Sequence, residues 1–71
     1  MDYSKSIKLL REKMFISQKE LADLLEVSFV SVNRWENNKY NPTIKVKRKL
    51  NDLFIKYNIK TGEGENYNGI N

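Results

Sequence analysis

The chain has 71 residues, enough for one small domain, and contains neither cysteine nor histidine. Disulfides and thiolate metal sites are therefore excluded, and the commonest general base and metal ligand are missing. Net charge is +4, and between Val27 and Leu50 six cations (Arg34, Lys39, Lys45, Lys47, Arg48, Lys49) face only Glu36. Such a run describes a solvated helix face or, where it clusters, a surface for a polyanion. No stretch approaches the ~20 apolar residues of a membrane span. The Met1-Asp2-Tyr3 start lacks the layout of a secretory signal, so a cytoplasmic location is expected.

In chain order, a first helix is expected from Tyr3 or Ser4 to Met14. Ile7, Leu10 and Met14 recur at helical spacing, Lys5, Lys8 and Lys13 face water, and Ser4 or Ser6 caps the start. Ser17 followed by Glu20 is a capping box, and Ile16 with Leu21 is the accompanying apolar staple. A second helix therefore runs from Ser17 to Leu25, with Leu21, Ala22, Leu24 and Leu25 inward. Ser28 caps a third, about Phe29 to Asn37, with Val32 and Trp35 inward and Val30, Asn33 and Arg34 opposite. Asn37 to Pro42 is loop chemistry. Thr43 caps a fourth helix, whose stripe is Val46, Leu50, Leu53 and Tyr57, flanked by Ile44 and Phe54. With no alternating strand pattern, the expectation is an all-α domain of four or five helices over residues 1–59. A glycine-containing polar tail over 60–71 is expected to be disordered.

Two short helices joined by the three residues Glu26-Val27-Ser28 describe a helix-turn-helix. Its second helix needs one face anchored in the core and one polar face able to enter the ~12 Å major groove of DNA. The carboxylates Glu12, Glu20, Asp23 and Glu26 sit at helical surface spacings and read as capping and solubility charges, so no enzyme is expected.

From Leu10 to Pro42 the sequence resembles the phage repressor, Cro and Xre family. The resemblance rests on Leu10-Arg11-Glu12, Ser17-Gln18-Lys19-Glu20-Leu21-Ala22, Val27-Ser28, Arg34-Trp35-Glu36-Asn37 and Pro42, and extends more weakly over residues 5 to 57. It implies a lambda-repressor-like fold with base-contacting positions at Phe29, Val30, Asn33 and Arg34. It also implies DNA-backbone contacts from Gln18, Ser28, Asn37 and Lys39, and structural roles for Arg11, Glu36 and Trp35, the first two as an ion pair. Arg34 suits a bidentate pair with guanine and Asn33 one with adenine. Phe29 and Val30 offer apolar contact to a thymine methyl, or Phe29 packs onto the second helix. Three common glycine positions of the family hold Phe15, Glu26 and Asn38. Asn38 adopts left-handed backbone cheaply; Phe15 and Glu26 either do so at a cost of roughly 1 kcal/mol or more, or the turns take another shape.

The function expected is a sequence-specific, repressor-like transcriptional regulator of double-stranded DNA. It would act by occupying an operator, with a homodimer on a palindromic site, and without cofactor, metal, small-molecule substrate or membrane. The alternative is a protein-interaction or targeting module, antitoxin-like or the N-terminal DNA-binding part of a larger protein.

Overall fold

Side-chain hydroxyls start three helices in this computed structural model, which describes residues 3–59. The expected tail over 60–71 lies outside the described residues. Helix α1 spans Tyr3–Met14, α2 Gln18–Leu25, α3 Phe29–Glu36 and α4 Ile44–Lys56, and no strand occurs among the described residues. The Ser17 hydroxyl accepts from the Glu20 amide while the Glu20 carboxylate accepts from the Ser17 amide, closing the capping box on α2. Ser28 accepts from the Ser31 amide at α3, and Thr43 from the Val46 amide at α4. Ser4 and Ser6 do not cap α1: they lie inside it, buried with Ile7 and Leu10.

The helix ends share one construction. In each, a left-handed residue donates its amide three residues back, and the next residue donates five residues back. The pairs are Phe15 to Glu12 with Ile16 to Arg11, and Glu26 to Asp23 with Val27 to Ala22. After α3 and α4 they are Asn38 to Trp35 with Lys39 to Arg34, and Asn58 to Ile55 with Ile59 to Phe54. These are Schellman motifs, which satisfy the last carbonyls of a helix. The left-handed residues have φ of 58° (Phe15), 61° (Glu26), 59° (Asn38) and 58° (Asn58). The turns at Phe15 and Glu26 therefore keep the left-handed geometry without glycine, at roughly 1–2 kcal/mol each. After three of the four, the next residue is apolar and packs inward: Ile16 and Val27 against the core edge and Ile59 within it. That burial, with the two hydrogen bonds, offsets the backbone cost.

One core joins the elements: Ile7 and Leu10 from α1, Leu21, Ala22 and Leu25 from α2, Val32 and Trp35 from α3, and Val46, Leu50 and Phe54 from α4, closed by Ile59. Helix α3 packs on α1 and α2, and α4 packs on α1 and α2. Four expected core assignments need correcting. Leu24 is half exposed, because the helical period sets it outside the stripe of Leu21, Ala22 and Leu25. On α4 the buried series is Val46, Leu50 and Phe54, four apart, while Leu53 and Tyr57 are only half-buried. Ile44, two residues before Val46 and so on the opposite side, is exposed.

Candidate nucleic-acid interface

Helix α3 is short enough for its two faces to be separated residue by residue. Val32, Trp35 and Glu36 are buried, whereas Phe29, Val30, Arg34 and Asn37 are exposed and Asn33 is half-buried. The turn Glu26-Val27-Ser28 sets α3 against α2, and Lys49 reinforces it from α4. The Lys49 ammonium donates to the Leu25 carbonyl at 3.4 Å and pairs with the Glu26 carboxylate at 3.8 Å. A cation at the end of α2 is also where the helix dipole favours one.

The orientation of α3 about its own axis is held by an ion pair. Arg11 Nε and Nη2 donate to the two Glu36 oxygens at 2.5 and 2.8 Å, a two-point grip joining α1 to α3. Arg11 Nη1 also reaches the Ile16 carbonyl at 3.3 Å, so the same side chain steadies the turn into α2. Burial by itself raises the Glu36 carboxyl pKa. Hydrogen bonds from Arg11 and Gln18, with the charges of Arg11 and Lys8, outweigh burial and hold it below the usual carboxylate range. The hydrogen bond to Glu36 raises Arg11 against the opposing effect of burial, so both stay ionised.

A chain of amides continues from Glu36 toward the exposed face. Gln18 Nε2 donates to Glu36 Oε1 at 2.9 Å, and Asn33 Nδ2 donates to Gln18 Oε1 at 3.3 Å. Asn37 Nδ2 then donates to Asn33 Oδ1 at 3.1 Å and to the Asn33 carbonyl at 2.9 Å. The structure thus brings Gln18, Asn33 and Asn37 together, although they were singled out for separate contacts.

The remaining residues singled out from the sequence flank this chain. Ser28 Oγ lies 3.1 Å from Ser31 Oγ, and with Ser31 donating, the Ser28 hydroxyl hydrogen stays available. Lys39 is exposed just past the left-handed Asn38. The Arg34 guanidinium lies over the Tyr40 ring, 5.1 Å from its centroid. The sequence carried no signal for that contact beyond an aromatic six residues downstream in a loop. Of the four cations in the first half of α4, Lys49 is committed to the α2 end and Lys47 lies over Tyr3 at 5.2 Å, which leaves Lys45 and Arg48 exposed. Among the described residues no group of three or more acidic side chains is arranged to hold a metal ion. No helix there is long and apolar enough to cross a membrane.

A helix-turn-helix family model matches residues 7–54, more than half of the chain. The match begins in α1 and ends at Phe54, the last buried residue of α4, so it covers α2, α3 and the interhelical bonds of Arg11, Gln18 and Lys49. No curated protein and no solved structure matches the chain.

Proposed function

Since the chain belongs to the helix-turn-helix family, of the Xre/Cro/C1 type, and is an all-α DNA-binding domain, we propose that it is a sequence-specific regulator that presents α3 to the major groove of double-stranded DNA. The observation that carries this reading is the contrast across α3, anchored through Trp35 and the Arg11–Glu36 pair and open at Phe29, Val30 and Arg34. A rigid element with one free face is what base readout requires, because a tilted helix would lose its register on the base edges.

In this arrangement Arg34 reads a guanine through its two-pronged guanidinium, with Phe29 and Val30 meeting thymine methyls. Gln18, Ser28 and Lys39 offer donors to phosphates and set the position on the duplex, while the Asn37 amide hydrogens are turned back onto Asn33. Regulation follows from occupying an operator, with two copies on a palindromic site giving the affinity that one small surface lacks. The domain performs no catalysis in this reading: Glu20 caps α2, Asp23 pairs with Lys19, and Glu26 pairs with Lys49.

Selection from a randomised duplex pool, followed by titration of the selected site at several salt concentrations, tests the proposal. The expected result is one defined sequence and an affinity that falls steeply with salt. Half-exposed Phe29 and Val30 also suit a protein partner. If no duplex is enriched, the interaction-module reading takes over.

A further inference from the structure

We propose that Asn33 is a positioning residue, acting on DNA through Gln18 rather than by reading a base. The proposal rests on the DNA-binding reading above and changes the part played by one residue within it.

The chain of amides starts at Glu36. An ionised carboxylate only accepts hydrogen bonds. Glu36 Oε1, already taking Arg11 Nη2, can receive only the nitrogen edge of the Gln18 amide, as observed. The Gln18 oxygen is thereby turned to the other side, where only a donor can meet it, and Asn33 supplies its Nδ2. The Asn33 oxygen then faces Asn37, which supplies its own Nδ2. One buried charge thus sets the direction of three successive amides, since reversing any of them brings N–H against N–H or oxygen against oxygen.

Two consequences follow for Asn33. Pairing with adenine needs its oxygen and nitrogen turned together onto one base edge, whereas one Nδ2 hydrogen is given to Gln18 and the oxygen takes Asn37 Nδ2, so partners inside the protein and not a base fix the plane of this amide. The side chain is also only half-exposed, unlike its neighbour Arg34. Gln18 keeps one Nε2 hydrogen beyond the bond to Glu36, and the Asn33 bond holds the amide in the orientation that offers this hydrogen as a donor. A donor of fixed direction at the start of α2 suits a phosphate oxygen and carries no sequence information.

The test uses the operator selected from the randomised duplex pool and its single-base variants, with the full chain as N33A, as N33L (which retains side-chain volume if the alanine variant folds poorly), as Q18A and as the two double mutants. Loss of the Asn33 bond should weaken the operator and every variant alike, roughly three- to tenfold, leaving the ranking of variants unchanged. In the Q18A background neither Asn33 substitution should weaken binding further, because the residue it positions is gone. A loss confined to one base pair, or one that adds fully to Q18A, overturns the proposal and returns Asn33 to base readout. A parent chain that enriches no sequence overturns the DNA-binding reading as well, so the two failures are distinguishable.

Discussion

On the inner side of α3, Val32 and Trp35 are 0% and 6% exposed; on the outer side of the same two turns, Phe29 and Val30 keep 49% and 50% of their surface exposed. The inner side is held by packing and by a two-point ion pair, the outer by the amide hydrogen bonds of Asn33 and Asn37 and the stacking of Arg34 on Tyr40. Substitutions inside should therefore act on stability first and on binding only through it. Substitutions outside should change binding while the domain remains folded.

The largest effect is expected at Trp35. Trp35→Ala should cost about 3–5 kcal/mol, a large part of the stability of a domain this small, read as a fall in urea midpoint. Parent-like unfolding of this variant would show that Trp35 does not hold the inner side of α3.

Next comes the Arg11–Glu36 pair, whose side chains are 24% and 3% exposed. Removing either member alone should cost about 3 kcal/mol, and removing both should cost less than the sum, because no charge is then left buried alone. Additive losses in a double-mutant cycle would show that the pair does not anchor α3. The pH dependence has a definite sign. The Glu36 carboxyl is lowered from its ordinary 4.5 by folding, so its stabilisation is present above about pH 4.5 and is lost as pH falls through the folded-state value. Acid titration of the unfolding midpoint should therefore fall more steeply for the parent than for Glu36→Gln.

On the outer face, Arg34→Ala should leave the urea midpoint unchanged and reduce discrimination at one base pair by about 1–3 kcal/mol. Lys39→Ala should weaken all sequences nearly equally and lower the salt slope by about one unit. If Arg34→Ala instead weakens every sequence alike, Arg34 is a phosphate contact and readout rests on Phe29 and Val30.

The smallest effect sharpens the contrast at a helix end. Phe15 is 91% exposed with φ 58°, so its ring buries little while its backbone stays strained. Phe15→Gly should stabilise by about 0.5–1 kcal/mol, the relief of strain exceeding the added chain entropy. Asn38→Gly should change little, since asparagine already tolerates this backbone. A destabilised Phe15→Gly would mean that the ring contributes something its exposure does not reveal.

The parts legible in the sequence are those closed within a few residues. Ser17 with Glu20, Ser28 and Thr43 place three helix starts because a hydroxyl meets an amide three positions on. The Val32 and Trp35 spacing sets the inner side of α3 because helical period is local. The three-residue turn, the all-α class and the family resemblance follow from the same local patterns. Asn58-Ile59 carried a readable signal as well, a left-handed residue followed by an apolar one, repeating Glu26-Val27. Composition of α4 misled at Leu53 and Ile44, since several apolar residues compete there and only neighbouring helices choose among them. The amide chain was beyond local reading: Gln18 lies 15 residues from Asn33 and 18 from Glu36, and Arg11 lies 25 from Glu36. The direction in which each amide points depends on a carboxylate that reaches it only after α1, α2 and α3 have packed, so tertiary structure alone decides it.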